Sequence, residues 1–212
     1  MVKVKACGIT RLADARLATE LGAWALGMIF VPASPRRCDP QVAEQIGLAL
    51  RRDAELTGVF ANATLDEVAG LADRCSLSLV QLHGDEGPAY CREVARRTGC
   101  RVIKAARVRS AASLRALRPF QVDFHLLDAH VPGLRGGTGE TFDWELAAAH
   151  DRSVALILSG GLTPDNVGAA IAATRPFAVD SASGTEAAPG RKDPAKLRAF
   201  AGAVEAASPV PA

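Results

Sequence analysis

The sequence predicts an α/β chain whose eight strand–helix units close into a single-domain (β/α)8 barrel. Three observations carry that expectation. Short apolar runs alternate eight times with longer segments of helical period. Several of the runs are apolar nearly throughout, as parallel strands covered on both faces are. No linker or composition shift divides the 212 residues. The alternative, an open doubly wound sheet, usually places a Gly-rich fingerprint after its first strand, and here the first turn reads CGIT. A barrel of this length is near the small end for the fold, so its loops are short. It is expected over residues 1–206, with 207–212 as a flexible tail.

In chain order the strands are VKVKA (2–6), WALGMIF (24–30), LTGVFA (56–61), LSLVQLH (77–83), RVIKAARV (101–108), DFHLLDA (123–129), SVALILS (153–159) and FAVDSA (177–182). Their starts lie roughly two dozen residues apart, about one βα unit each. Helix starts carry their own signals. TLDE at 64–67 reads as a capping box, with Thr64 as N-cap and Glu67 three residues on. DP at 39–40 and 193–194, and TP at 163–164, put an N-cap residue before a proline at the first helical position. In the first helix Leu17 and Leu21 lie one turn apart, with Ala13 and Ala18 beside them.

Composition narrows the function. The net charge is +2 with acids and bases mixed, so no basic stripe invites nucleic acid. No window approaches a membrane span, and Met1 leads into a strand pattern rather than a leader's basic start and apolar run. The five cysteines are odd in number, irregular in spacing and without a Cys-x-x-Cys pair. A disulfide framework or zinc site is not expected, and a reducing cytoplasm is. His83, His125, His130 and His150 show no ligand-spaced pair.

A barrel puts its active site at the C-terminal ends of its strands. Cys7 ends the first strand; free cysteine is often a small buried hydrophobe, but at this rim a thiol is a candidate nucleophile or proton acceptor, if the site lowers its pKa of ~8.5. Asp128 closes the sixth strand and either caps a turn or protrudes into the site. The Gly-rich loop from Gly133 to Gly139 behind it suits a lid over a ligand. Gly160 and Gly161 follow strand seven, and Ser183 and Gly184 follow strand eight. Both pairs suit backbone N–H groups aimed at a phosphate, or simply tight turns. Arg36 and Arg37 lie in a loop braced by Pro32, Pro35 and Pro40, fit for a carboxylate or phosphate or for solvent. Gln81 and His83 end strand four, where a lone histidine is more often structural. Asp180 is placed to bind a sugar hydroxyl or to pair with a lysine such as Lys104.

The motifs CGIT, SPR, GVF, VQLHG, LLDA…GGTGETFDW, SGGLTPDNV and VDSASGTE…PGRKD occur in one order. In that order they resemble the phosphoribosylanthranilate isomerase family of tryptophan biosynthesis, over almost the whole chain. The resemblance implies a (β/α)8 barrel without metal or organic cofactor, a monomer or homodimer. It implies an Amadori rearrangement of a small phosphosugar–anthranilate substrate. It carries over Cys7 as general base, Asp128 as general acid and Arg36 as the ligand of the anthranilate carboxylate. In this picture Asp128, if burial keeps it protonated, opens the furanose ring, and Cys7 takes the C2 proton of the resulting imine. Three departures stand out: Met28 where Phe is usual, Ser159 where Ala is usual, and SASGTE for the commoner SSGVE. The first two are read as packing changes; the third touches the phosphate loop at Ser183. Three other functions compete. A sister isomerase of histidine biosynthesis would carry Asp where Cys7 stands. A non-catalytic sugar-phosphate-binding barrel would not need Cys7 and Asp128 together. A thiol redox protein would need a resolving cysteine near Cys7.

Overall fold

The computed structural model describes residues 1–128 and 144–208. Eight parallel strands form a closed barrel in chain order: β1 (Lys3–Cys7), β2 (Ala25–Ile29), β3 (Glu55–Phe60), β4 (Leu79–Leu82), β5 (Arg101–Arg107), β6 (Phe124–Asp128), β7 (Ala155–Ser159) and β8 (Ala178–Ser181). β8 pairs back onto β1, with Lys5 opposite Asp180. The helices α1 (Leu12–Glu20), α2 (Pro40–Leu50), α3 (Leu65–Arg74), α4 (Pro88–Thr98), α5 (Ala111–Arg115), α6 (Trp144–Ala148), α7 (Val167–Thr174) and α8 (Pro194–Ala207) alternate with the strands.

Strand residues alternate between the lumen and the helix layer. The lumen holds Ala25, Leu79, Ile103, Phe124, Leu126, Ile157 and Ala178 as one apolar cluster. Trp24, Phe124 and Phe177 close its N-terminal end, with ring centroids 5.1 to 5.5 Å apart. Nearer the mouth the buried side chains turn polar: Lys5, Thr57, Gln81 and Asp180. Outside the barrel, Leu26, Met28, Ile46 and Val68 belong to the core under α1 to α4. Leu158, Ile171, Val179 and Phe200 belong to that under α7 and α8. Met28 is wholly buried in the outer core, so its departure from the family pattern is one of packing.

Three helix starts form as the sequence predicts. Asp39 accepts from the Gln41 N–H, Thr64 and Glu67 complete a capping box, and Asp193 accepts from the Ala195 and Lys196 N–H groups. The TP start does not. α7 begins at Val167, because the Asn166 side chain accepts from the Thr163 N–H at 2.8 Å and donates to the Gly161 carbonyl at 3.1 Å, holding 163–166 as a turn. In α1 the buried face is Asp14, Ala15 and Ala18; Ala13 is exposed and Leu17 only half-buried. The chain also makes a ribbon absent from the eight-unit expectation. β9 (Glu186–Ala188) and β10 (Arg191–Lys192) pair antiparallel between β8 and α8. At the end of α8 the Ser208 hydroxyl accepts from the Val2 N–H at 3.0 Å, tying the C-terminal helix to the first strand. The Gly133–Gly139 lid and His130 lie outside the described residues.

Candidate active site

Cys7 and Asp128 stand at the C-terminal ends of β1 and β6. β7 and β8 separate them around the ring, so they face one another across the mouth. Cys7 is buried, 5% exposed. The Asp128 side chain is 20% exposed, with Oδ2 3.7 Å from His83 Nε2. His83, read from sequence as a structural residue, is thus beside the candidate acid; its ring also lies 3.4 Å from Gln81.

The loop after β2 sorts its two arginines. Arg37 is exposed and Arg36 half-buried. Arg36 donates through Nε at 2.9 Å and through its second nitrogen at 2.8 Å to Glu186. Gly8 makes this contact possible: it has φ +79°, and a Cβ there would meet Glu186 Oε1 at 3.0 Å and Arg36 Cδ at 3.1 Å. Glu186 comes from the β9–β10 ribbon, as does Lys192, whose Nζ donates to the Ala182 carbonyl at 3.0 Å and to Thr185 Oγ1 at 2.9 Å. Thr10 donates to the Gly190 carbonyl and pins the ribbon to the end of β1. No strand-counting rule places Glu186 and Lys192 here; their sequence signal is the motif pair VDSASGTE…PGRKD, of which Glu186 ends the first half and Lys192 lies in the second.

Asp180 is buried and held through both of its oxygens. Its Oδ1 lies 2.7 Å from Lys5 Nζ, and its Oδ2 accepts from Ser159 Oγ at 3.1 Å. The lysine partner is therefore Lys5, not Lys104. Lys104 sits on the helix side of β5, bound to Glu86 at 2.9 Å. Ser159 is likewise more than a packing change, since its hydroxyl holds the Asp180 carboxylate.

Gly160 and Gly161 have φ of +102° and +66°, a backbone course that disfavours side chains. Gly184 is required by close approach. A Cβ there would lie 1.9 Å from the Leu162 carbonyl oxygen, the same oxygen that accepts from Ser181 Oγ at 2.8 Å. The turns after β7 and β8, with Ser183 at the start of a short 3-10 turn (Ser183–Thr185), are thus packed into one unit.

Burial pushes the Cys7 thiol above its ordinary value, while Lys5 and Lys192 pull it down and Asp180 pushes it up. Far from the mouth, His125 Nδ1 and His150 Nε2 meet at 2.9 Å outside the barrel. Sequence spacing did not reveal this contact. Among the described residues no cluster of three or more His, Cys, Asp or Glu could hold a metal ion, and no helix is long and apolar enough to cross a membrane. A cleft of about 870 Å³ opens at the N-terminal end of the barrel beside Lys3, Trp24 and Arg51; none of the strand-end groups lines it.

A thiol and a carboxyl at strand ends around a barrel's mouth have the chemistry for acid–base catalysis, and the fold is one that enzymes use. The model of the family described as N-(5'phosphoribosyl)anthranilate (PRA) isomerase matches residues 4–203. The chain is 52% identical over 198 residues to the N-(5'-phosphoribosyl)anthranilate isomerase of Citrifermentans bemidjiense, covering 93% of this chain and 94% of that one. It is 50% identical to that of Geobacter sulfurreducens, covering 94% and 97%. The crystal structure of phosphoribosyl anthranilate isomerase from Thermotoga maritima superposes with a TM-score of 0.88 at 42% identity, covering 97% of this chain and all of that one. A second isomerase structure, in complex with reduced 1-(o-carboxyphenylamino)-1-deoxyribulose 5-phosphate, gives 0.85 at 41%, again covering 97% and 100%. The chain belongs to the PRA isomerase family.

Proposed function

We propose that the chain converts N-(5-phosphoribosyl)anthranilate to 1-(2-carboxyphenylamino)-1-deoxyribulose 5-phosphate, the isomerisation step of tryptophan biosynthesis, by acid–base catalysis. The observation that carries the proposal is the match over residues 4–203, which takes in both strand ends where Cys7 and Asp128 stand. Asp128 is the acid: it protonates the furanose ring oxygen, and the C1–O bond opens to an imine. The imine acidifies the C2 proton. Cys7, as thiolate, removes it, and the electron pair left behind forms an enolamine that tautomerises to the ketone. Each step moves a proton and none moves an electron pair out of the substrate, so the reaction calls for no cofactor.

Arg36 binds the anthranilate carboxylate in this reading. Its guanidinium is already oriented by Glu186, and its other N–H groups serve the substrate. The turns of Gly160, Gly161, Ser183 and Gly184 hold the phosphate, so both ends of the substrate are fixed and the reacting carbons are placed between them. Asp180, held by Lys5 and Ser159, lies below the mouth as a partner for a sugar hydroxyl. The substrate is a small molecule, free of nucleic acid and membrane, and the protein acts in the cytoplasm as a monomer or homodimer.

The test is turnover of freshly made phosphoribosylanthranilate by chelator-treated protein, with Cys7→Ala and Asp128→Ala alongside. Each variant is expected to lose on the order of 10²–10⁴ in kcat while keeping the parent's circular dichroism. A parent protein that binds the substrate without consuming it would leave the sugar-phosphate-binding barrel instead. Turnover of the histidine-pathway aminoaldose alone would leave the sister isomerase.

A further inference from the structure

We propose that Lys5 is a positioning residue for this reaction: its buried ammonium, clamped by Asp180, sets how readily Cys7 becomes a thiolate. The inference rests on Cys7 as the base. Lys5 is fully buried, 0% exposed. Taking an ammonium out of water is costly, and an apolar side chain of similar size avoids that cost, so a lysine at this depth calls for a use. Lys5 and Cys7 are two residues apart on one strand and point into the same lumen. Gly27 is paired with Cys7 on the neighbouring strand. A methyl group there would lie 2.8 Å from Cys7 Sγ and 3.2 Å from Lys5 Nζ, so the missing side chain leaves thiol and ammonium facing each other. Asp180 fixes Lys5 at 2.7 Å and is itself held from β7 by the Ser159 hydroxyl at 3.1 Å.

The charges facing Cys7 come from three strands. Lys5 on β1 and Lys192 on β10 favour the thiolate; Asp180 on β8 opposes it. Arg36 and Glu186 stand behind Lys192 and act on it in opposite senses. The two lysines differ. Burial works to lower Lys5, but Asp180 and Cys7 outweigh it and hold the ammonium above its ordinary range. Burial wins at Lys192 and lowers it. Lys5 is thus the more firmly protonated of the two cations beside the base. Its role is electrostatic: the thiol proton leaves to solvent, Lys5 keeps its own, and no bond to Lys5 forms.

The experiment measures the pH midpoint of iodoacetamide alkylation at Cys7, read by mass spectrometry, beside the pH profile of kcat/KM. The midpoint is a ratio of rates within one protein, so differences in access cancel. Lys5→Met is expected to raise it by about one to two units, and the acidic limb of kcat/KM moves with it. Asp180→Asn is expected to lower it. The pair Lys5→Met with Asp180→Asn removes both charges, and supplies a folded test if Lys5→Met alone strands Asp180 and unfolds. Opposite shifts from the two single variants, or a raised midpoint in the pair, support the proposal, because a merely structural lysine would not move a titration in a folded protein. An unmoved midpoint in folded protein overturns it. A midpoint that moves while the kcat/KM limb stays fixed overturns Cys7 as the base.

Discussion

Cys7 is one of five buried thiols, and its surroundings alone distinguish it. Burial, with Cys75 and Asp39 adding to it, pushes Cys38 up to about 12. Burial also raises Cys75, Cys91 and Cys100. At Cys7 two ammonium groups work against burial without overcoming it, so the free thiol is protonated at neutral pH. Over the pH range in which Asp128 keeps its proton, the expected consequence is a kcat/KM that rises as the thiolate forms, toward the ordinary thiol range of ~8.5. The active form needs both the thiolate and the protonated carboxyl, so a profile flat from pH 7 to 10 would mean that Asp128 loses its proton as Cys7 loses its own, whereas undiminished turnover in Cys7→Ala would remove the thiolate from the mechanism. Arg36→Met is expected to raise KM by about 10- to 100-fold, as loss of a charge-assisted hydrogen bond does, with kcat little changed. Equal losses in kcat and kcat/KM would show that Arg36 acts on the transition state instead. Cys7 and Asp128 stand out in the sequence as strand-end residues, and the structure places both at strand ends. Lys5 was not: a lysine in VKVKA looks like a solvated edge until closure of the barrel buries it. The Lys104 alternative for Asp180 failed on parity, since Lys104 lies on the outward register of its strand.

At the scale of elements, the sequence shows where each helix begins when the cap is local, and hides what depends on a distant loop. The Thr64 capping box forms as written. Thr64→Ala is expected to cost about 1 kcal/mol of stability and to leave kcat/KM untouched, since α3 brings nothing to the mouth; denaturant titration beside the assay checks both. The Thr163–Pro164 start failed because the Asn166 side chain offers the Thr163 N–H a partner one turn later. The β9–β10 ribbon was invisible because its strands are only three and two residues long, too short for any periodicity to register. The turns after β7 and β8 were legible as glycine-rich, but their mutual packing was not. Gly184→Ala would force a methyl onto the Leu162 carbonyl oxygen, and backbone cannot swing aside as a flexible side chain can. We expect a lower Tm and a KM raised about tenfold or more; an unchanged KM would take the phosphate out of these turns.

For the whole molecule, eight βα units leave closure as the simplest way to cover both faces of every strand, and this is why the architecture could be read from rhythm alone. Pairings across the helix layer carry no such rhythm. His125 on β6 and His150 beyond α6 are 25 residues apart in sequence and 2.9 Å apart in space, with rings at 88°. In that contact one nitrogen donates and the other accepts, so at least one ring is neutral. Burial and then His150 push His125 down to about 4; burial lowers His150 as well, against Asp151. In the unfolded chain both rings titrate near the usual ~6.5. Between those values the unfolded chain binds protons that the folded one refuses. Stability is therefore full above pH ~6.5, falls as pH drops toward 4, and loses no more from His125 below that. The loss from His125 is on the order of 3 kcal/mol, worth about 2–4 °C of Tm per kcal/mol in a chain of this size. Thermal melts from pH 7 to 5 stay above the ordinary carboxylate range of ~4, so the histidines dominate the slope. The double variant His125→Gln, His150→Gln is expected to flatten it. A parent whose Tm falls no more steeply than that of the variant would show that the pair keeps its proton-free form at no cost to the fold.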